Sequence, residues 1–321
     1  MSLPPEWAPA RRIYTALPWR AREWPGGLDA AQAGAAALAR TIAEGGTPVT
    51  MLVPDRAREE RARGLTGEPG GLTFGRTRYG DIWLRDTGPI FGHGEAVSFR
   101  FNGWGGKFEM PGDERVARYL ARVEDLPLRQ HDFVLEGGAI DHDGADTAIT
   151  TEECLLNPNR NPGMSRAEIE RVVCAALGFE RLVWLGAGLI GDHTDGHVDN
   201  LARFVAPGRV MLPEARDADD PNAAIYEDAA RRVEAAGLAL DRVPSVGRYE
   251  AADGTPAPAS YMNFILTGAL VIVPTYGAAA DDEAVARIGA AFPDRRAVGL
   301  DARGVLAGGG AFHCMTCHVP A

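Results

Sequence analysis

This chain has little cysteine, no long apolar run and no surplus of basic charge. Each shortage removes a class of protein. Four cysteines in 321 residues, Cys154, Cys174, Cys314 and Cys317, make no disulfide framework. Cys154 and Cys174 lie in apolar contexts, where a small buried thiol is the ordinary expectation. The longest apolar stretch, Phe264 to Val273, is broken by Thr267 and Gly268 and is about half of the roughly 20 residues a membrane helix needs. It reads as strand, and no membrane association is expected. The opening Met1-Ser-Leu-Pro-Pro-Glu-Trp7 carries no basic segment and no apolar run, so a cytoplasmic location is expected. A formal charge of −11 argues against a nucleic-acid partner, which calls for clustered Lys and Arg. An acidic surface mildly favours cationic ligands, although on charge by itself solubility is the stronger reason for it.

No Ser-rich linker, charge block or low-complexity tract divides residues 1–321, so a single catalytic domain is expected. The pattern is helix then strand, repeated. Helices are predicted near Leu28–Ala43, Asp113–Val123, Ser165–Leu177, Asn222–Ala236 and Asp282–Ala291. Their ends carry the matching chemistry: Ser165-Arg-Ala-Glu168 is a capping box, Asp220-Pro221 offers a cap before proline, and Gly45, Gly178 and Gly237 follow their helices. Each helix precedes a β-rich run, at Pro48–Val53, Asp132–Leu135, Arg181–Leu185, Leu240–Val243 and Ala297–Leu300. Further strands are expected at Tyr79–Leu84, Ala96–Phe101, Ala148–Thr151, Leu201–Val205, Val210–Leu212 and Tyr261–Val273. Five α-then-β units imply an α/β fold, either a wound sheet or a radial repeat. Val53 is followed by Pro54-Asp-Arg-Ala-Arg58 rather than a glycine fingerprint, so dinucleotide binding is unsupported.

Four polar constellations interrupt this pattern at strand ends, where functional groups commonly project. Asp81-Ile-Trp83-Leu-Arg85-Asp86-Thr-Gly88-Pro89 reads in isolation as a strand ending in a turn with a surface ion pair. Leu135-Glu136-Gly137-Gly138 sets a carboxylate before paired glycines. Gly191-Asp192-His193-Thr194-Asp195-Gly196-His197-Val198-Asp199-Asn200 is the densest, and in an extended segment His197 and Asp199 face the same way. Zinc on His193 and His197 is the alternative there, weakened by the turn formers that oppose a helix.

The fourth constellation is the tail, Gly308-Gly-Gly-Ala-Phe-His-Cys314-Met-Thr-Cys317-His318. Cys314-Met-Thr-Cys317-His318 matches the C-x-x-C-H string of c-type haem attachment, and its histidines would suit zinc. The glycine run instead presents Cys314 as a nucleophile on a flexible loop. Several convergent carboxylates are wrong for an ordinary cysteine protease, because they raise the thiol pKa and repel an oxyanion. They suit a substrate that is itself a cation. A guanidinium is planar, permanently charged and forked in its N–H donors, so two carboxylates can hold it while sulfur attacks its central carbon.

These segments, together with Phe101-Asn-Gly-Trp104-Gly-Gly106, Thr150-Thr-Glu-Glu-Cys-Leu-Leu-Asn-Pro-Asn-Arg-Asn-Pro162 and Ser260-Tyr-Met-Asn-Phe264, resemble the agmatine deiminase and bacterial peptidylarginine deiminase branch of the guanidine-modifying pentein superfamily. The resemblance spans nearly the whole chain. It implies an α/β propeller of five repeated units around a pseudo-fivefold axis, and a small cationic guanidine substrate processed without metal or other cofactor. It further implies that Cys314 is the nucleophile, that His197 is the proton carrier, that Asp86 and Asp199 grip the guanidinium, and that Glu136 supports both. Trp83, Asn263 and Gly310 are implied substrate contacts, and Trp104 reads as structural. The implied reaction converts agmatine and water to N-carbamoylputrescine and ammonia through a cysteine thiouronium, the entry to putrescine. Peptidylarginine and other guanidine deiminases, an amidinotransferase, a silent guanidine-binding module and a metal- or haem-binding protein are the alternatives. Two departures stand out. The family usually continues Ile-Thr-Gln-Gln after the nucleophile where this chain has Met315-Thr316-Cys317-His318, and Ala311-Phe312 replaces a usual Asn-Ile. Cys317 is expected to be an inert neighbour. Arg85, Arg160 and Arg203 are the candidates to read a substrate carboxylate, and homo-oligomerisation is left open.

Overall fold

The computed structural model describes residues 3–24, 27–251 and 254–321. Five small sheets account for its strands. Four are built alike: a short antiparallel pair, a helix, then a third strand parallel to the second. In the second sheet Ile90–Gly92 pairs antiparallel with Glu95–Arg100, the helix Val116–Val123 crosses over, and Leu128–Val134 lies parallel to Glu95–Arg100. The third sheet (Asp141–His142, Thr147–Thr151, Arg181–Leu185), the fourth (Arg203–Ala206, Arg209–Glu214, Ala239–Pro244) and the fifth (Ile265–Leu266, Leu270–Thr275, Arg296–Asp301) repeat the plan.

The first sheet completes the set with strands from both ends of the chain. Cys317–Pro320 pairs antiparallel with Ala10–Ala16, which runs parallel to Val49–Val53, itself parallel to Leu72–Arg76. The tail that carries Cys314 is thereby fixed at once, because the strand beginning three residues later is a sheet member.

Local chemistry explains the elements. The helix Arg166–Leu177 starts at the reciprocal Ser165 and Glu168 capping box and ends on Gly178 at φ 86°. It buries Ile169, Val173, Ala176 and Leu177, one face of a helix. The helix Leu28–Glu44 buries Ala31, Ala35, Leu38, Ala39 and Ile42 completely, and its alanines let the backbone lie close to the sheet. Among the described residues no helix is long and apolar enough to cross a membrane.

Several expectations are corrected. Tyr79–Leu84 is not a strand: Asp113 Oδ1 accepts the N–H groups of Gly80 (2.8 Å) and Asp81 (3.1 Å), and Asp81 accepts those of Ile82 (2.7 Å) and the Trp83 indole (3.0 Å). Carboxylates thus satisfy the donors a neighbouring strand would have used. Tyr261–Val273 divides into a 3₁₀ turn, Tyr261–Asn263, and a hairpin that bends at Thr267-Gly268. The expected helix from Asp113 begins as a 3₁₀ turn and becomes α-helical only at Val116. The helix Arg56–Thr66 and the strands Ala10–Ala16, Leu72–Arg76 and Cys317–Pro320 went unread in the sequence.

Ile13 pairs with Val49 on one side and His318 on the other and is fully buried, so it sits where the two chain ends close the first sheet. Ile13→Ala is expected to lower unfolding free energy by about 2–5 kcal/mol in denaturant melts, whereas an exposed change such as Arg171→Ala stays within about 0.5 kcal/mol.

Candidate active site

One short turn follows the last strand of each unit and precedes the next: Leu84–Thr87, Gly137–Ala139, Val198–Asn200, Tyr261–Asn263 and the Gly310–Thr316 segment. Successive turns touch one another. The repeat therefore delivers Asp86, Glu136, His197 with Asp199, Asn263 and Cys314 to one place from five different sheets. All are buried, and Glu136, His197, Asp199 and Asn263 have no measurable exposure. His197 and Asp199 were expected to share a strand face; instead His197 stands at the start of a 3₁₀ turn and Asp199 lies within it, and both reach the centre by that route.

Cys314 is held by its neighbours. Asn263 Oδ1 accepts the backbone N–H of His313 (2.9 Å) and of Cys314 (3.2 Å), which turns its Nδ2 toward Cys314 Sγ at 3.0 Å. The thiol faces Asp199 Oδ2 at 3.5 Å. Asp86 is oriented by two donors, Gly138 N–H to Oδ1 (2.9 Å) and Trp104 Nε1–H to Oδ2 (2.9 Å). Arg160 Nε–H holds Glu136 Oε1 at 2.7 Å, and Arg160 also binds Asp195 Oδ2 at 2.6 Å and Thr194 O at 2.7 Å. His197 stands between Asp86 Oδ1, 3.8 Å from Nδ1, and Glu136 Oε2, 4.0 Å from Nε2. Both His197 nitrogens, Glu136 Oε2 and Asp199 Oδ1 are buried without a hydrogen-bond partner among the described residues. Unpaired buried groups of this kind are costly, and at a site they mark where a ligand would complete the set.

Electrostatics follow from burial. Desolvation, then the charge of Glu136, pushes Asp86 up to about 7. Desolvation, then Asp86, puts Asp199 well above the carboxylate range, and desolvation raises Glu136 despite Arg160. Desolvation, then Asp199 and Asp86, keeps the Cys314 thiol protonated well beyond its ordinary range. Desolvation and Arg160 hold His197 neutral.

Behind the site, His313 bridges Asp199 Oδ2 (2.7 Å, Nδ1) and Glu6 Oε2 (2.8 Å, Nε2). Burial opposes charge on Glu6, but His313, Arg203 and Arg85 outweigh it and hold its carboxyl well below the usual range. His313 itself is kept neutral by burial, then by Arg203 and Arg85. A neutral ring has one N–H; the Glu6 carboxylate takes it, so His313 Nδ1 accepts a proton from the Asp199 acid. The three groups form a consistent donor chain with Asp199 protonated at rest.

A cleft of about 240 Å³ opens onto Cys314 and Asp86, walled by Trp83, Trp104, Phe108, His193 and the Gly308–Gly310 run. Gly310 is required at its place: a Cβ there would lie 2.8 Å from the Trp83 ring and 3.2 Å from Cys314 Cβ. Gly138 is equally confined, its Cβ falling 2.6 Å from His197 Nδ1, 3.0 Å from Asp86 Oδ1 and 3.1 Å from Asp199 Oδ2. Glu23, Arg22 and Asp81 also line this cleft, with Arg22 on Glu23 at 2.5 Å.

Every residue singled out from the sequence, Cys314, His197, Asp86, Asp199, Glu136, Trp83, Asn263 and Gly310, lies in or against this centre. The three candidate arginines do not serve the cleft: Arg160 is spent on Glu136 and Asp195, Arg203 on Glu6 and the carbonyls of Met262 and Phe264, and Arg85 on Glu6 and His318. Trp104, read as structural, donates to Asp86; its place between Gly103 and Gly105 was the signal available in the sequence, and in the structure its φ is 53°. His313 and Glu6 were missed, since only the fold brings residue 6 to residue 313. The haem string is taken apart: Cys314 lines the cleft, whereas Cys317 and His318 line a separate recess, with Cys317 Sγ on Pro89 O at 3.3 Å. The alternative of zinc on His193 and His197 is likewise not realised. Among the described residues the group of His, Cys, Asp and Glu close enough to share an ion is Glu136, Cys154 and His197, without His193.

Comparison with known proteins agrees with this arrangement. Residues 2–320 match the model of the Porphyromonas-type peptidyl-arginine deiminase family. The agmatine deiminase of Pseudomonas aeruginosa (strain LESB58) is 38% identical, the match covering 99% of this chain and 95% of that protein. The structure of an agmatine deiminase of Enterococcus faecalis superposes with a TM-score of 0.91 at 32% identity, covering 99% of this chain and 95% of that one. A C. jejuni agmatine deiminase with substrate bound gives a TM-score of 0.91 at 27% identity, covering 100% and 96%. The five sheets are thus those of a pentein-type α/β propeller, and the chain belongs to the Porphyromonas-type peptidyl-arginine deiminase family.

Proposed function

We propose that this protein is a guanidine deiminase that converts agmatine and water to N-carbamoylputrescine and ammonia. One observation carries the reading: a thiol, Cys314, shares a buried centre with carboxylate oxygens Glu136 Oε2 and Asp199 Oδ1 and an imidazole, His197, none of them hydrogen-bonded among the described residues. A planar cation with forked donors fills such a set. Its arrival reverses the local electrostatics. The positive charge favours ionised Asp86 and Asp199, and the Asp199 proton can pass along its hydrogen bond to His313 Nδ1.

In this reading the Cys314 thiol gives its proton to His197, and the thiolate attacks the central guanidinium carbon. His197 then protonates one amino group, the C–N bond breaks, and ammonia departs to leave a cationic thiouronium on Cys314. Neutral His197 next takes a proton from water, the resulting hydroxide adds to the same carbon, and the C–S bond breaks as the new hydroxyl releases its proton to solvent, where the departed ammonia takes it up as ammonium. His197 returns its proton to the sulfur, and the ureido product carries the water oxygen. Asp86, Asp199 and Glu136 hold the carbon's substituents throughout, and Trp83 supplies an aromatic wall to the planar group. No step calls for a cofactor.

Agmatine is favoured over arginine by the charge of the cleft lining. Glu23 and Asp81 belong to it, and its one arginine, Arg22, is already on Glu23. An ammonium suits that neighbourhood better than a carboxylate. A cytoplasmic setting belongs to the same reading, because four free cysteines persist where thiols are kept reduced.

A panel of agmatine, arginine and a peptidyl-arginine, scored for ammonia and ureido product, is expected to show agmatine turned over best; no turnover of any guanidine by reduced protein would remove the proposal. Cys314→Ser is expected to abolish turnover and the covalent adduct seen by intact mass, while Cys317→Ser retains most activity. Equal loss from both would assign the chemistry to a dithiol. For pH, protonation of Asp86 removes a negative charge from the free site, so kcat/KM for agmatine should fall as pH drops through about 7. The apparent value belongs to the coupled carboxylates together. A pH-independent kcat/KM across that range would contradict the assignment.

A further inference from the structure

Cys154 is the one buried thiol beside the site that the deiminase chemistry leaves without a task. It lies on the short helix Glu152–Leu155, whose start is capped by Thr151 Oγ1 accepting the Cys154 N–H at 3.2 Å. On one side it packs into the apolar cluster that includes Leu155, Ile169 and Val173. On the other it meets two polar side chains. Its Sγ, a carboxylate oxygen of Glu136 and a ring nitrogen of His197 all lie within 4.8 Å of one another, and all three residues are fully buried. Glu136 Oε2 and both His197 nitrogens have no hydrogen-bond partner among the described residues, so the donor set is open.

We propose that Glu136, Cys154 and His197 form a binding site for Zn²⁺ that switches the enzyme off. A thiolate, an imidazole and a carboxylate are the three ligand types this borderline-soft ion takes, and a fourth position would remain for water. Bonds of about 2.0–2.3 Å draw tetrahedral ligand atoms to about 3.5 Å from one another, so the three side chains must close by about 1 Å. The second shell for this is in place, since Arg160 fixes Glu136 through its other oxygen at 2.7 Å and thereby sets the plane of the carboxylate. Binding forms the Zn–S bond as the Cys154 thiol releases its proton to solvent, and the thiolate and carboxylate together neutralise the ion. His197 links the trio to the cleft: its Nδ1 lies 3.8 Å from Asp86 Oδ1, and Asp86 is a residue of the cleft wall.

The consequence for activity rests on the function proposed above: a metal-bound His197 cannot carry protons for Cys314, and a metal-bound Glu136 cannot receive the guanidinium. Binding itself does not rest on that reading. The ion is an inhibitor here, distinct from a cofactor, and Cys154 places the control outside the nucleophile.

Co²⁺ titrated into reduced, metal-free protein tests this directly. One equivalent is expected to produce a thiolate-to-cobalt charge-transfer band in wild type and in Cys314→Ser, lost in Cys154→Ser and displaced by Zn²⁺. The Zn²⁺ concentration that halves agmatine turnover should rise at least about tenfold in Cys154→Ser, a shift of about 1.4 kcal/mol in binding. Should that variant fail to fold, X-ray absorption of Zn²⁺-loaded Cys314→Ser protein is expected to show one sulfur neighbour. A band that survives in Cys154→Ser and vanishes in Cys314→Ser, or a zinc shell without sulfur, overturns the site. Metal-free wild-type protein that turns over no guanidine would instead fault the deiminase reading, leaving the cobalt result to stand by itself.

Discussion

The structure turns on the uncompensated acidity of a dry centre. Asp86, Glu136 and Asp199 are buried together around a thiol, and among the described residues Arg160 is the one cation that directly contacts any of the three carboxylates. The free site meets this strain by holding protons: burial raises all three carboxyls and the thiol above their ordinary ranges, helped by the charge of Glu136 at Asp86, of Asp86 at Asp199, and of Asp199 and Asp86 at Cys314. Groups that bind protons more tightly folded than unfolded lose stability as pH rises from the ordinary carboxylate range toward the raised values. A bound cation relieves the same strain, so the affinity for a guanidinium and the reactivity of Cys314 have one origin.

The geometry is held from behind, which leaves the front free to act. Glu6, near the start of the chain, accepts from His313 near its end and is paired with Arg203 and Arg85, so a small ionic knot ties the segment before the first strand to the first and fifth turns and to the fourth sheet. Asn263 fixes Cys314 through the backbone and the sulfur, Trp104 and Gly138 fix Asp86, and Arg160 fixes Glu136. Glu136 and Asp199 thus each have one oxygen held by a partner and one left unpaired, while both oxygens of Asp86 are held. His197, with both nitrogens unpaired, is the exception, and mobility of its proton is what the chemistry asks of it.

Much of this was legible in the sequence because chemistry clusters at strand ends. Asp86, Glu136, His197, Asp199 and Cys314 were all found in polar interruptions of apolar runs, and the helix boundaries near Ser165 and Gly178 followed from capping residues. What stayed hidden depended on long-range partners. Tyr79–Leu84 has the composition of a strand, and only Asp113 explains why it is a turn. Cys317 and His318 looked like ligands of a haem; in the fold they are residues of a closing strand, with Tyr14 and Ile13 opposite. Glu6, His313 and Cys154 could not be read locally, since each acquires its neighbours from a different unit of the repeat.

The central claim is that the cation creates its own nucleophile, and the ionisation of Cys314 tests it most directly. Thiolate absorbance is recorded for wild type minus Cys314→Ser at neutral pH, with and without guanidinium ion at a concentration too low to unfold the protein. The account predicts no Cys314 thiolate in the free protein and its appearance on adding the cation. A thiolate already present without the cation, or a spectrum the cation leaves unchanged, would contradict it.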